Sequence, residues 1–276
     1  MLASTDLAAI AAQMKAARQS GHQIQPFSAR YEGFDLDSAY AVASDLHRAR
    51  LRAGQVSVGR KIGFTNPDMW PLFNVAAPVW AYVYASTVVQ LEQPEHGRQT
   101  CSLGAFFEPK IEPEIILHFK QAPPAGADAH AILRCVDWVS HGFEIVQSHF
   151  PGWQFKAPDT IADLALHATL LIGKRVNVDE LGSNLAEKLE QFSIELSCNA
   201  ARREIGHGFN VLGSPLLALA HLTKVLASQP DSLPIQAGEI VTTGTITKAY
   251  SIQVGDVWTT TVEGISLPGL SIEFTR

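Results

Sequence analysis

The chain is poor in cysteine and in charge. Its three cysteines, Cys101, Cys135 and Cys198, stand far apart with no CxxC spacing. A sparse, odd set excludes a disulfide framework and fits a reducing compartment, so a cytoplasmic protein is expected. Small buried hydrophobes are the plain alternative to any redox role for them. Asp, Glu, Lys and Arg make up 17% of 276 residues, the formal net charge is −6, and no long basic run occurs. Nucleic acid is therefore not expected as a partner, since phosphate backbones are bound by clustered Lys and Arg. No stretch approaches the roughly 20 consecutive apolar residues of a membrane span, so no membrane partner is expected. The segment MLASTDLAAIAAQMKAARQSG has no basic stretch ahead of its apolar patch and reads as an amphipathic helix, not a signal peptide. The histidines show neither HExxH nor HxH spacing, and there is no GxSxG elbow, GxxxxGKS/T loop or GxGxxG opening a helix.

What is present is apolar material, 46% of the residues, enough for a sizeable core in one large domain or a large domain with a small appendage. The first fifty residues read as helical. Residues 5–18 are alanine-rich and stop at Gly21. A second helix is expected from Asp37 as N-cap to Gly54 as C′, with Ala39, Val42, Ala43, Leu46 and Ala49 as its buried stripe. After Gly54 short runs of Val, Ile, Thr and Phe alternate with Gly, Pro and Asn. These predict strands at 56–62, 111–119, 143–148, 166–173, 191–198, 239–243, 250–253, 257–262 and 270–274. Residues 121–131 read as a loop and 206–213 as a turn. Residues 214–229 read as a helix with Ser214 as N-cap and Pro215 in its first position. The division expected is a helical N-terminal region, 1–54, attached to a β-rich catalytic domain, 55–276.

FFEPKIEPEIILHF, residues 106–119, carries the first chemical signal. On a strand Ile111, Ile115, Leu117 and Phe119 face one way, and Glu112, Glu114, Ile116 and His118 the other. The two glutamates then stand roughly 6.5 Å apart at Cα. A cation between them, a shared proton or full exposure to solvent would relieve their repulsion. Pro113 removes a backbone donor and marks an edge or a bulge. Glu144 stands among Phe143, Ile145 and Val146, where a carboxylate needs either a salt bridge or a metal. Three carboxylates together suit Mg²⁺, Mn²⁺ or Ca²⁺ rather than zinc. Pro109 makes it doubtful that Glu108 shares their face, and it is left out of the site.

Lys61, in VGRKIGF, and Lys156, in GWQFKAPDTIAD, are candidates for a pocket wall, with a surface position as the alternative for each. TTGTIT, residues 242–247, is either a plain β-turn or a source of N–H and hydroxyl donors for an anion.

In order along the chain, YAVASDL, GRKIGFT, EPKIEPEI, GFEIVQSHF, WQFKAPDTIAD, NVLGSPLLALAHL and TTGTITKAYSIQVGD resemble the fumarylacetoacetate hydrolase superfamily. The branch they resemble most is that of the 2-keto-4-pentenoate hydratases and related oxo-acid decarboxylases. The resemblance implies an α+β fold, a β-rich roll of mixed sheets of the fumarylacetoacetase C-terminal type with a small helical N-terminal region. It implies Mg²⁺ or Mn²⁺, with Ca²⁺ also admissible, held by Glu112, Glu114 and Glu144. It implies catalytic lysines at Lys61 and Lys156, and substrate contacts at Thr65, Asp159, Thr243, Gly244 and Thr245. The implied activity is that of a metal-dependent lyase of aromatic-compound catabolism, acting on a small 2-oxo acid or its enol through a metal-stabilised enolate, in a homo-oligomer. Hydration of a 2-hydroxy-2,4-dienoate is the leading form. Decarboxylation of an oxalocrotonate-type acid, C–C hydrolysis of an acylpyruvate and a non-catalytic ligand-binding relative are the alternatives.

The chain also departs from this pattern. Ala76, Val79 and Ala85 stand in the segment NVAAPVWAYVYAST where the hydratases carry acids. The water-activating histidine of the hydrolase branch is missing, with His118 as its substitute candidate.

Overall fold

The protein is described by a computed structural model covering residues 2–73, 75, 77–91, 98–229 and 232–276. Helices α1 (Ser4–Ser20) and α2 (Leu36–Arg52) open the chain. Strand β1 (Ser57–Gly63), a single turn α3 (Trp70–Phe73), and strands β2 (Val79–Tyr84), β3 (Val88–Gln90) and β4 (Gln99–Ser102) follow. The two longest strands, β5 (Lys110–Phe119) and β6 (Val136–Val146), flank α4 (Ala129–Cys135). Then come α5 (Ala157–Ala162), β7 (His167–Ile172), β8 (Val176–Asn177), α6 (Val178–Leu181), α7 (Leu185–Gln191), β9 (Ser193–Cys198) and β10 (Ala201–His207). Helix α8 (Pro215–Ser228) precedes β11 (Ile240–Thr245), β12 (Tyr250–Ser251), β13 (Val257–Glu263) and β14 (Ser271–Thr275).

Two mixed sheets result. The larger runs β2-β1-β11-β5-β6-β7-β3, with β12 added to β5 and β8 to β6, and the smaller runs β10-β9-β13-β14-β4. β1 with β11, β3 with β7 and β4 with β14 are parallel, and the other pairs are antiparallel. β5 is central. Its odd residues Ile115, Leu117 and Phe119 pack with Ile132 of α4, Leu189 of α7 and Leu219 and Leu222 of α8. Ile111, on the same face, joins Leu196, Trp258, Ile272 and Phe274 of the smaller sheet. Fully burying such a side chain stabilises the fold by roughly 1.5–3 kcal/mol. α8 is apolar because it crosses this core, with Leu216, Ala218, Leu219, Leu222 and Leu226 buried.

α1 and α2 cover the other side of β2. Ile10, Met14, Val42 and Leu46 share a cluster with Val79, Ala81, Phe150 and Ile161. α2 begins one residue after Asp35, whose carboxylate accepts from Ser38 N–H at 2.8 Å; Asp37, the expected N-cap, lies inside the helix. Asp128 caps α4 in the same way, so the loop read over 121–131 ends early. The expected strand 143–148 begins seven residues sooner, at Val136. Ser214 caps α8 through Leu216 N–H, with Pro215 in the first turn, as the sequence indicates.

Candidate metal centre

The parity of β5 puts Lys110, Glu112 and Glu114 on one face, away from the helical core. Register with β6 sets Glu144 directly across from Glu112. The carboxylates of Glu112, Glu114 and Glu144 each offer an oxygen within 4.8 Å of the others. Pro113 is not at a sheet edge; β11 passes it with a bulge between Thr242 and Thr245. That bulge shapes the support for Glu114. Thr242, before the bulge, donates its hydroxyl to Glu114 Oε2, and Gly244 N–H donates to the same oxygen at 2.9 Å. Gly244 has φ +95°, and a Cβ there would lie 1.9 Å from Thr65 Oγ1, so only glycine fits.

Lys61 pairs with Thr242 across β1 and β11, which places it on the carboxylate face. Its Nζ sits 3.0 Å from Glu144 Oε2 and donates to Ala165 O at 3.0 Å. Ala165 belongs to a turn in which Leu164, Ala165 and Leu166 all have positive φ, 53°, 49° and 66°. The other oxygen of Glu144 accepts from His167 Nδ1 at 2.7 Å. A carboxylate only accepts, so Nδ1 carries the ring proton and Nε2 faces the Thr87 hydroxyl at 2.8 Å.

Burial pushes the Glu112 carboxyl up to about 7, Lys61 opposing and the Glu144 charge adding to the shift. Burial and Glu144 raise Glu114 well above the ordinary range. Glu144 moves the other way, to about 2: burial works to raise it, but Lys61 and the His167 hydrogen bond outweigh that. Lys61 is held above the ordinary lysine range, because the three carboxylates more than offset its burial. Burial alone would draw the ammonium toward neutrality; the acidic neighbours reverse the direction.

The residues fit a divalent cation. Glu114 Oε1 and Thr65 Oγ1 are buried without a hydrogen-bond partner among the described residues, and Glu144 Oε2 has only the Lys61 charge. Buried carboxylate oxygens left in this state are costly. Three hard oxygen donors of one cluster suit Mg²⁺, Mn²⁺ or Ca²⁺, which would replace the protons that burial otherwise forces onto Glu112 and Glu114.

A pocket opens above the cluster, lined by Lys61, Thr65, Lys110, Glu112, Trp153 and Thr245 among others. Lys110 Nζ lies 3.8 Å from the centre of the Trp153 ring. Trp153 is held by its indole N–H, which donates to Glu108 O at 3.0 Å. Glu108 Oε1 accepts from Gly152 N–H at 3.0 Å and from Gln23 Nε2 at 2.8 Å. Glu108 thus supports the pocket wall from outside the carboxylate cluster.

Other candidates fall elsewhere. Lys156 is exposed at the start of α5, and its side chain does not line the pocket. Asp159 is fully buried, but its carboxylate accepts from Ser28 N–H, Ser28 Oγ and Lys156 N–H at 2.9, 2.5 and 2.8 Å. It ties α5 to the N-terminal region and has no donor capacity for a substrate. Thr243 turns to the opposite face of β11 and donates to Ile115 O at 3.1 Å. Thr245 lines the pocket. His118 is engaged by Asp137 at 2.5 Å and stacks on Trp138, at the end of β5 remote from Glu112. Val79 is packed in the core, Ala85 is exposed, and Ala76 lies outside the described residues.

The sequence reading passed over Thr242 and His167. The first carries a parity signal, being two residues from Gly244 on the bulged strand. The second has no local signal, because its partner Glu144 is 23 residues away.

No family model matches the chain. It is 30% identical over 266 residues to 2-keto-4-pentenoate hydratase 1 of Dechloromonas aromatica, an alignment covering 96% of this chain and 95% of that one. It is 27% identical over 263 residues to 2-hydroxyhexa-2,4-dienoate hydratase of Comamonas testosteroni, covering 94% of each. Among solved structures, 4-oxalocrotonate decarboxylase from Pseudomonas putida G7, complexed with magnesium and adipate, superposes with a TM-score of 0.87. It is 24% identical, and 99% of both chains are covered. Fumarylpyruvate hydrolase from Pseudomonas aeruginosa, in complex with Mn²⁺ and pyruvate, shares the fold at a TM-score of 0.60 and 13% identity, over 80% of this chain and 90% of that one.

Proposed function

The chain belongs to the 2-keto-4-pentenoate hydratase family, within the fumarylacetoacetate hydrolase superfamily, and we propose that it is a divalent-metal-dependent lyase acting on a small 2-oxo acid or its enol. The observation that carries this reading is the cluster of Glu112, Glu114 and Glu144 with Lys61, from which Glu112 and Lys61 reach the wall of a pocket. Similarity to a hydratase and to a magnesium-bound decarboxylase supports it.

Glu112, Glu114 and Glu144 would hold Mg²⁺ or Mn²⁺, which when bound polarises a 2-oxo group as a Lewis acid. Lys61 keeps a positive charge on the same wall, where negative charge develops on the substrate during addition of water or loss of CO₂. Its Nζ is fixed between Glu144 and Ala165 O, and we assign to it the proton handed to the substrate. Thr65, its hydroxyl without a partner among the described residues, and Thr245 are the polar contacts we assign to the substrate. Val146, Trp153 and Leu166 supply an apolar wall that keeps bulk water from the chain of the acid. His167 and Thr242 act through the glutamates as positioning residues.

A cytoplasmic location and self-assembly belong to the same proposal. The three free cysteines support the first, and exposed Val89 on the edge strand β3 is consistent with the second.

The test is turnover of a 2-hydroxy-2,4-dienoate and of an unsaturated 2-oxo diacid, with and without Mg²⁺. Activity should require the metal and fall by about 10³-fold or more in Glu112→Gln. Undiminished turnover after exhaustive chelation would overturn the proposal.

A further inference from the structure

We infer that the pocket selects 2-oxo acids bearing a second carboxylate, with Lys110 as the residue that recognises it. This rests on the reading of the site as a metal-dependent 2-oxo acid site and goes beyond it in naming the charge of the substrate. Three lysines, Lys61, Lys110 and Lys248, line the pocket together with Glu112, and Glu114 and Glu144 cluster with Glu112 behind its wall. These charges cancel. A divalent cation on the glutamates therefore leaves the loaded pocket with two positive charges in excess. A 2-oxo monoacid neutralises one of them, and a 2-oxo diacid neutralises both.

The positions of the lysines say where the second carboxylate goes. Lys61 is committed to Glu144 and Ala165 O at the metal end. Lys110 stands two residues before Glu112 on the same face of β5, half-buried, its ammonium over the Trp153 ring. It makes no ion pair among the described residues. Glu108, just ahead of β5, directs Oε1 to Gly152 N–H and Gln23 instead. Lys248 is exposed at the mouth; Glu204 beside it accepts from the Lys248 backbone N–H and from the Tyr250 hydroxyl. A half-buried ammonium with an aromatic face beneath it and no carboxylate in ion-pair contact among the described residues is a receptor for a carboxylate. Lys110 is thus the specificity residue and Lys248 an outer, weaker contributor.

The test is calorimetric binding to the Mg²⁺-loaded protein of two unreactive six-carbon probes, 2-oxoadipate and 2-oxohexanoate, which differ only in the terminal carboxylate. The diacid should bind at least about tenfold more tightly. Lys110→Met should remove most of that preference while 2-oxohexanoate binding stays within about twofold, and Lys110→Arg should retain it. Lys248→Met, at an exposed position, should reduce the preference less. Equal affinity of the wild-type protein for the two probes, or equal weakening of both by Lys110→Met, would overturn the inference and leave the metal-site reading standing. Failure of both probes to bind the metal-loaded protein would overturn both.

Discussion

Two clusters of buried charge lie close together in this fold, and they are built on opposite terms. In the first, Asp163 is fully buried and every oxygen is engaged. Oδ1 pairs with Arg18 Nη1 at 2.5 Å, and Oδ2 accepts from His149 Nδ1 at 2.9 Å and His149 N–H at 3.2 Å. In the second, three glutamates share one lysine, two of them are pushed toward protonation, and Glu114 Oε1 and Glu144 Oε2 stay without hydrogen bonds among the described residues. The first cluster completes itself with protein groups. The second is completed only by something from outside. Unsatisfied buried charge, beside charge of the same kind fully satisfied, separates a binding centre from a brace.

The comparison is broken most severely by exchanging the expected costs. Asp163→Asn leaves Arg18 facing no charge in a nearly buried position and should destabilise the protein by roughly 3–5 kcal/mol in urea unfolding. Glu114→Gln, in the metal-free protein, should cost little or nothing, since it replaces a group that burial already drives to its neutral form. A large loss for Glu114→Gln alongside a small one for Asp163→Asn would invert the two assignments.

His167 sharpens the contrast from within the second cluster. It touches one metal-facing carboxylate and lines no part of the pocket. His167→Gln should weaken Mg²⁺ binding by about 10–100-fold, read by titration calorimetry, and should leave unfolding of the metal-free protein much less affected. Unchanged Mg²⁺ affinity would reduce His167 to a packing residue.

The smallest expected effect is a drift with pH. In the metal-free folded chain burial pushes the Glu112 carboxyl up to about 7 from its ordinary 4.5. A carboxyl raised in this way contributes stability that is fully present below 4.5 and lost as pH rises through about 7. Glu144, held at about 2, changes nothing in that window. The urea midpoint in chelator should therefore fall from pH 5 to pH 8 relative to Glu112→Gln, and Mg²⁺ should flatten the difference. Parallel profiles for the two proteins would remove Glu112 from the account.

How legible each cluster was follows from chain distance. Glu112 and Glu114 were readable because period-two alternation within one strand places them together. Glu144 was readable as a carboxylate alone among Phe143, Ile145 and Val146. The long strand, α1 and α8 were legible for the same reason: their periodicity or capping is local. Short elements such as α5, α7 and β10 were not, since packing and pairing stabilise them more than local pattern does. The same limit hid the roles of Lys156 and Asp159. The capping arrangement that takes up the Asp159 carboxylate requires Ser28, 131 residues earlier. Thr243 was counted among the substrate contacts, yet alternation along β11 turns it away from Thr242, and its hydroxyl donates to Ile115 O.

The left-handed turn at Leu164–Leu166 has a consequence for timing. Asp163 before it is anchored to Arg18, His167 after it to Glu144, and between them the Ala165 carbonyl grips Lys61. A free lysine side chain carries about 2 kcal/mol of rotamer entropy. Here that freedom is surrendered when the chain folds, so the ammonium stands ready before any substrate arrives, and binding has no lysine left to immobilise.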